Sequence, residues 1–434
     1  MANALRATAA TEASERDVVY AKVTRRLIPF LLLCYVIAYL DRINVGFAKL
    51  QMLSDLKFSE SVYGLGAGIF FAGYALFEVP SNLVMLKVGA RNWIGRIMVT
   101  WGIISASTML VRTPVGFYTA RLLLGIAEAG FIPAILYYLT LWYPSAQRGK
   151  VTALFLAGIP LAGVLGGPLS GWIMSSLNGA SGLGGWQWLF VLEAIPAVLV
   201  GVAAFFYLDN DVDSAKWLTD REKQLIDRDL ASEAQGKTLH SVRHGLWTVR
   251  VWLLACLYFF FTFGLYGVSF WLPTIIKTTG VKNPLDVGLL TAIPFGAALI
   301  TMYLIGRSSD ARRERRWHLA IPAAIGALGL IFSAIYDHQT VFAMIALTVA
   351  MAGIVPCIPQ FYTLPPAILT GAAAAMGLAL ANSVGSVAGF ASPYLLGWVK
   401  DLTGSTNYGV ITLAVFLFAG AALVFTVPGR TVNR

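Results

Sequence analysis

The chain has 434 residues, of which 57% are hydrophobic and only 12% are charged, and its formal net charge is +10. Water-soluble domains carry about 25% charged residues, so this composition excludes an ordinary soluble protein and indicates one membrane unit with many spans. The basic excess is explained better by lysine and arginine gathered on one side of a membrane than by binding of nucleic acid. Its 3 cysteines and 4 histidines lack metal-ligand spacing, so we expect no disulfide, no metal and no cofactor.

Apolar runs that are long enough to cross about 30 Å of hydrocarbon recur along the chain. The first 26 residues are polar, without the apolar core of a secretory signal, so we expect no cleaved leader. We predict twelve spans, at roughly 27–49, 61–87, 93–112, 115–140, 149–176, 187–208, 248–277, 284–306, 318–336, 340–366, 372–399 and 408–428. The longest hydrophilic stretch divides them into two sets of six. The predicted organisation is an N-terminal segment 1–26, a six-helix bundle 27–208, a central loop 209–247, a second six-helix bundle 248–428 and a tail 429–434.

Lysine and arginine predict the orientation of these spans. Most of the 32 basic residues fall in segments on the side of the two termini. The exceptions on the other side are Lys49, Lys57, Arg112, Lys277, Lys282 and Lys400. Because basic loops stay on the cytoplasmic side, we predict that both termini are cytoplasmic.

The two predicted bundles show a faint internal repeat. The fifth span of the first half contains Gly163-x-x-Gly166-Gly167-Pro168-x-x-Gly171-Trp172, and that of the second half contains Gly385-x-x-x-Gly389-x-x-x-Pro393-x-x-x-Gly397-Trp398. Small residues at such spacing also serve helix contact in any bundle. Together with the equal division of the spans, the motifs favour an all-α membrane protein of two pseudo-symmetric bundles around a central cavity.

Span 4 carries an arginine and a glutamate at membrane depth. Arg121 and Glu128 stand seven residues apart, so both side chains share one helix face about 10 Å apart along the axis. We expect Gly125, between them on that face, to leave open space. Ionisable groups at this depth mark a pathway by default. We therefore interpret this face as the wall of a water-filled cavity.

Span 1 places an acid and a base side by side, as Asp41 and Arg42. Neighbours on a helix point about 100° apart, so one can reach the cavity while the other braces a neighbouring helix. A buried pair that only fixes packing is the alternative. Asp41, Arg42, Arg121 and Glu128 are neutral together when all are ionised, and protonation of one carboxylate leaves +1, which suits a monoanion. We predict that Asp41 and Glu128 carry protons while Arg42 and Arg121 balance the anion.

Other polar and aromatic groups complete the predicted site. Glu78 in span 2 and Glu193 in span 6 are interpreted as structural or gating groups. The cavity also needs neutral donors and aromatic walls, although a tyrosine at such a position can equally serve the membrane interface or packing. The candidates are Tyr39, Tyr74, Tyr137, Tyr266, Trp271 and Asn382.

Several fragments in order resemble the anion:cation symporter branch of the major facilitator superfamily. They are Tyr39-x-Asp41-Arg42-x-Asn44, Phe77-Glu78-Val79-Pro80-Ser81-Asn82 with Gly89-Ala90-Arg91-x-Trp93-Ile94, Arg121-Leu-Leu-Leu-Gly125-x-Ala-Glu128-Ala129-Gly130-Phe131, Phe270-Trp271-Leu272-Pro273, and Ser309-Asp310-x-Arg312-x-Glu314-Arg315-Arg316-Trp317-His318. The resemblance implies two six-helix bundles, alternating access and proton-coupled uptake of organic anions such as sugar acids, tartrate, phthalate or hydroxyphenylacetate. It implies proton and substrate roles for the span 1 and span 4 charges, and substrate contacts at Tyr74 and Asn382.

The loop between spans 2 and 3 departs from that superfamily. Its usual Gly-x-x-x-Asp-Arg-x-Gly reads Asn82-x-x-x-Leu86-Lys87-x-Gly89 here, so the acidic gate is missing from the first half. The loop between spans 8 and 9 keeps the counterpart at Asp310. We therefore predict gating roles for Glu78, Asp310 and Arg312.

The sequence thus predicts a monomeric carrier in a bacterial inner membrane that imports a small organic anion with protons. An anion exchanger or exporter on the same fold is the nearest alternative. Catalytic clusters for a membrane enzyme are missing, so we predict that the protein is not an enzyme. An ATP-driven pump is disfavoured because the stretch ending in Gly236-Lys237-Thr238 has Ala231 where a phosphate-binding loop needs its first glycine.

Overall fold

The computed structural model describes residues 2–234, 249–369 and 372–433, and in these ranges the chain forms helices and turns without a strand. The first half comprises α1 (Ala2–Leu56), α2 (Glu60–Val88), α3 (Ala90–Ser107), α4 (Pro114–Glu128), α5 (Phe131–Thr140), α6 (Ser145–Leu156), α7 (Gly158–Ser176) and α8 (Gly185–Tyr207). The helix α9 (Asp220–Ala234) lies in the predicted central loop. The part of that loop from residue 235 onward lies outside the described residues.

The second half repeats the arrangement. It comprises α10 (Val249–Thr278), α11 (Pro284–Arg312), α12 (Trp317–Ile335), α13 (Thr340–Phe361), the short α14 (Leu364–Ile368), α15 (Ala372–Thr403), α16 (Asn407–Leu423) and the short α17 (Gly429–Val432). Among the described residues, 10 helical segments are long and apolar enough to cross a membrane. Helices α3 and α15 occupy the two other predicted positions, and α3 falls short because Arg91, Asn92 and Arg96 lower its mean hydropathy. The predicted all-α, two-halved architecture is confirmed.

Span 4 is broken, where the sequence predicted one continuous helix. Helix α4 ends at Glu128, and Gly130 takes a left-handed conformation with φ +83° before α5 begins. Such a backbone conformation favours glycine, and Pro133 three residues later supplies no N–H to a helix that would run on through it. The Ser81 hydroxyl donates to the Ala129 carbonyl at 2.6 Å, which satisfies a backbone group freed by the break. The break fixes Glu128 at the last turn of α4.

The halves touch through small residues at the end of the bundle away from the termini. A Cβ atom added to Gly64 of α2 would lie 2.5 Å from the Pro393 carbonyl oxygen of α15, and one added to Gly171 of α7 would lie 2.5 Å from the Pro284 carbonyl oxygen of α11. Close backbone approach of this kind is how helices pack in lipid. The glycine motifs of spans 5 and 11 therefore build the contact between the halves.

An ion-pair network spans the halves at the same end. Glu60 at the start of α2 forms ion pairs with Lys49 of α1 at 2.7 Å and with Lys400 of α15 at 2.5 Å. Asp401 accepts from the backbone N–H of Ser61 at 2.7 Å, so a residue of α15 caps α2. The Lys49 ammonium lies 3.2 Å from the centre of the Trp271 ring of α10. These contacts close this end of the molecule.

The opposite end carries helix α9 of the central loop. Helix α9 packs along the start of α1, where Lys22 pairs with Glu222 at 2.8 Å and Arg16 pairs with Asp229 at 3.0 Å. Ile226 of α9 is fully buried. The loop between the halves is thus held against the first half by its described portion.

We expect the contact between the halves to be intolerant of added volume. The change Gly64→Leu forces a side chain against the α15 backbone, and overpacking of this kind costs about 1–3 kcal/mol. The thermal unfolding temperature of the detergent-solubilised protein should fall by several degrees. Gly149→Ala is the matched control, because a Cβ atom there meets nothing within 4 Å. Equal unfolding temperatures for Gly64→Leu and the control would contradict this packing.

Candidate functional site

A small cavity lies between the halves. It is bounded by α1, α2 and α5 from the first half and by α10, the end of α13 and α15 from the second. Its walls combine one arginine, one glutamate, several hydroxyls and aromatic rings, which suits a small polar ligand. The lining residues are Arg42, Phe71, Tyr74, Glu78, Ile132, Pro133, Tyr258, Thr262, Tyr266, Tyr362, Asn382, Gly385 and Ser386.

The cation in the cavity wall is Arg42. Its guanidinium is paired with the Glu128 carboxylate, and both side chains are almost fully buried. Arg42 Nη1 also donates to the Tyr266 hydroxyl at 3.3 Å, which ties α1 to α10 across the two halves. The rings of Phe70 and Tyr74 lie 5.2 Å and 5.5 Å from the guanidinium carbon. An arginine held in this way presents its charge to the cavity while a carboxylate balances that charge from behind.

Asp41 points away from Arg42, as the helix geometry predicted. Its Oδ1 accepts from the Ser105 hydroxyl of α3 and from Asn44 Nδ2 at 3.2 Å. Oδ2 has no hydrogen-bond partner among the described residues. Asp41 does not line the cavity, so it braces the first half while Arg42 reaches the ligand space. The two neighbours therefore face different partners, and their separate roles stay a prediction.

The interpretation of the α4 face as an open cavity wall is wrong. Arg121 is fully buried, and a Cβ atom at Gly125 would overlap the Phe70 backbone carbonyl of α2. The glycine therefore admits the α2 backbone rather than leaving open space. The Arg121 guanidinium lies 5.1 Å from the Phe70 ring, and its three nitrogens lack hydrogen-bond partners in the described part of the chain. Arg121 and Glu128 therefore lie behind the cavity wall and do not line the cavity.

Helix α10 and its neighbours carry a chain of hydrogen bonds along the second half of the cavity. The Tyr362 hydroxyl donates to Asn382 Oδ1 at 3.1 Å and lies 3.2 Å from the Tyr258 hydroxyl. Because the Tyr362 proton is used on Asn382, Tyr258 donates to Tyr362. The Asn382 oxygen is thereby occupied, and its NH₂ group remains for a ligand.

The structure brings together part of the predicted substrate set. Arg42, Tyr74, Tyr266 and Asn382 line the cavity. Tyr39 instead lies 3.4 Å from the Ser269 hydroxyl, buried between α1 and α10. Trp271 packs on Lys49 at the closed end, and Tyr137 is 39% exposed.

Sequence reasoning missed Tyr258, Thr262 and Tyr362 as site residues. Tyr258, Thr262 and Tyr266 follow each other at intervals of four along α10, so they share one helix face. A single sequence offers no sign that this face, among the aromatic-rich faces of α10, borders a cavity.

The predicted gating residues lie in two places. Glu78 lines the cavity, whereas Asp310 and Arg312 lie at the end of α11, remote from it. Asp310 pairs with Arg315 at 2.6 Å. Arg312 borders a separate, apolar cleft of about 910 Å³ between α11, α12 and α13. A gating role for the three residues stays a prediction.

The loop beyond α11 is held by a capping carboxylate. Partial burial by itself raises the pKa of Glu314, but the backbone N–H groups of Trp317 and His318 and the His318 ring hydrogen-bond to the carboxylate and bring its pKa below the ordinary value. Ionised Glu314 therefore fixes the start of α12 next to Asp310 at neutral pH.

Comparison with known proteins places this fold and site in context. A sequence model of the Major Facilitator Superfamily matches residues 31–393. A putative metabolite transport protein NicT of Pseudomonas putida is 51% identical over 96% of this chain and 95% of that protein. A putative tartrate transporter of Agrobacterium vitis is 46% identical over 96% of this chain and 94% of its own. A quinolone resistance transporter of Acinetobacter baumannii is 42% identical over 96% of both chains.

A solved structure shares the fold. It is a bacterial homolog of the human lysosomal transporter Spinster, in an inward-facing and unoccupied conformation. The TM-score is 0.76 at 17% identity, covering 94% of this chain and 97% of that one.

We expect the Arg42–Glu128 pair to behave as a buried ion pair in stability measurements. Arg42→Ala leaves the Glu128 carboxylate buried without its partner, which costs about 3–5 kcal/mol. The double change Arg42→Met with Glu128→Leu removes both charges and should unfold at a clearly higher temperature than the single variant. Thermal unfolding in one detergent at pH 7 compares them. A double variant no more stable than Arg42→Ala would show that the two groups do not act as a pair.

Proposed function

The chain belongs to the Major Facilitator Superfamily of membrane transporters, and from that premise we propose that it imports a small organic anion together with protons. The observation that carries the proposal is Arg42, a cation in the cavity wall whose charge is balanced by a titratable carboxylate, Glu128. The family and the relatives are multi-pass membrane transporters, not enzymes.

The coupling rests on competition for one guanidinium. An arriving carboxylate takes the place of Glu128 on Arg42, and Glu128 takes up a proton from water because a second anion on the same cation is unfavourable. When the substrate leaves, Glu128 gives up that proton and pairs with Arg42 again. One proton then moves with each anion. A difference of one pH unit is worth about 1.4 kcal/mol per proton, enough for tenfold accumulation of a monoanion.

Asp41 and Arg121 supply the second predicted pair of charges. Each has unpartnered polar atoms within the described residues: Asp41 has Oδ2, and Arg121 has all three guanidinium nitrogens. We propose that Asp41 is the other proton-carrying group and that Arg121 approaches the anion after the halves rearrange. Tyr39, which links α1 to α10 through Ser269, would follow the same rearrangement.

The cavity favours a substrate with one carboxylate and further polar groups. Arg42, Tyr74, Tyr266 and Asn382 offer donors to an anion. The relatives named for tartrate and for a metabolite support an organic acid as substrate. The aromatic rings in the walls would accommodate a substrate with a ring.

The closed end away from the termini fits an inward-facing state. With both termini cytoplasmic in a bacterial inner membrane, the Lys49–Glu60–Lys400 network seals the outer side while the cavity belongs to the cytoplasmic side. Glu78, Asp310 and Arg312 are the proposed gating groups on the cytoplasmic side. The carrier works as a monomer, since the first and second halves alone enclose the cavity.

Export or exchange on the same fold is the second candidate, and the relative named for quinolone resistance favours it. Uptake into membrane vesicles with and without an imposed pH gradient separates the two. Symport requires that an inward proton gradient drive accumulation. Uptake that ignores the gradient and is accelerated by internal substrate would establish exchange instead.

Glu128→Gln should abolish accumulation driven by a pH gradient, because the amide carries no titratable proton. It should spare part of the exchange between internal and external substrate, which needs no net proton movement. Vesicle uptake and counterflow of the same labelled acid measure both. Full accumulation by the variant would remove Glu128 from the proton path.

Arg121→Ala should weaken substrate binding by about tenfold or more, because it removes a buried cation close to the anion path. Arg313→Ala is the control, since that arginine is exposed in the loop after α11. Binding is measured by thermal stabilisation with a series of carboxylates, after each variant is shown to unfold cooperatively. Equal losses in the two variants would contradict the assignment.

A further inference from the structure

Glu78 is the ionisable group of the cavity wall that the mechanism above leaves without a chemical role. Its side chain lines the cavity from α2, and the residue is only 8% exposed. The structure shows neither a hydrogen bond nor an ion pair to its carboxyl group within the described residues. A carboxylate nine-tenths buried and without a partner is costly when ionised.

The groups that face Glu78 do not supply a spare positive charge. From α1 the cavity receives Arg42, whose charge is matched by Glu128 of α4. The remaining titratable lining groups are hydroxyls: Tyr74 on α2, Tyr258 and Tyr266 on α10, and Tyr362 at the end of α13. The cavity wall therefore carries −1 when Glu78 is ionised and is neutral when Glu78 is protonated.

That charge decides when an anion can bind. The cavity is small, so a bound carboxylate lies within a few ångströms of Glu78, where two like charges disfavour each other strongly. Protonated Glu78 removes the repulsion and offers an O–H donor to the substrate. Displacement of Glu128 from Arg42 leaves the repulsion at Glu78 in place, because Glu78 lies on a different helix and forms no ion pair with Arg42 among the described residues.

We propose that Glu78 is a further proton-binding group, which takes up a proton from cavity water when the anion binds and releases it when the anion leaves. The proton adds to a carboxylate oxygen, and no other bond forms or breaks. This inference rests on the proposed function. Glu78 adds one proton per monoanion to those that the other carboxyl groups carry, so transport moves net positive charge inward.

The consequence for binding is a steeper pH dependence. In the alkaline range, affinity of the wild-type protein for a monocarboxylate should fall up to tenfold more per pH unit than that of a protein without the Glu78 carboxyl, since one more group must gain a proton. Glu78→Gln mimics the protonated carboxyl, so its affinity should show that shallower fall. Glu78→Asp restores a titratable group and should restore the steep dependence.

The experiment uses the full-length protein in detergent. Acetate, gluconate, lactate and benzoate are the probes, and binding is scored by thermal stabilisation from pH 5 to pH 9 for wild type, Glu78→Gln and Glu78→Asp. Glu193→Gln is the control, because this buried acid is bonded to the Ser170 hydroxyl at 2.6 Å and lies outside the cavity lining. It should keep the wild-type slope.

Infrared difference spectroscopy gives a readout that needs no ligand. A protonated carboxyl band should titrate in the wild-type protein and be missing from Glu78→Gln. An unchanged band, or a wild-type binding slope in Glu78→Gln, would overturn the proposal. Proton-independent binding and uptake by the wild-type protein would instead overturn the proposed function. If none of the four probes binds, the infrared band alone decides.

Discussion

The structure depends on the neutralisation of the buried positive charge of Arg42. Arg42 lies in an apolar interior, where an uncompensated ion costs several kcal/mol, so Glu128 must stand beside it. That requirement explains why α4 stops at Glu128: the left-handed turn at Gly130 ends the helix where the carboxylate meets α1. It also explains the tight approach of α2 to α4 at Gly125, which keeps the ion pair away from lipid.

The contacts between the halves differ in kind from the contacts around this ion pair. At the closed end the halves meet through glycine and proline backbones and through ion pairs near the helix ends, such as Glu60 with Lys400. Partly exposed ion pairs contribute little free energy, and small residues make smooth surfaces that can separate without unlocking large side chains. The inner pair Arg42–Glu128 lies within one half, whereas the Arg42–Tyr266 bond joins the two. A ligand that displaces Glu128 therefore changes a contact between the halves as well as a charge.

Much of the fold follows from sequence because lipid imposes it. Every backbone group within hydrocarbon must be satisfied inside its own helix, so apolar runs of sufficient length predict the crossing positions, including α3 with its two arginines. The site follows in part. Helix spacing correctly separated Asp41 from Arg42, since the direction of neighbouring side chains is a local property. The same spacing predicted that Arg121 and Glu128 share one face of their helix. It could not show that the backbone of α2 packs against that face. Tyr258 and Tyr362 were not included in the predicted site for a similar reason. The sequence of an aromatic-rich helix does not indicate which of its tyrosines border a cavity.

The arrangement of charge around the cavity links these parts. Arg42 is paired with Glu128, and the buried Asp41 and Arg121 carry opposite charges in the same half, so these four groups are neutral together when ionised. Glu78 is the exception in the cavity wall, because it is neutral only with a proton. In the proposed mechanism an organic anion adds one negative charge, which Arg42 accepts when Glu128 gains a proton. The proposed stoichiometry then follows from which carboxyl groups must be neutral for the halves to close around the substrate.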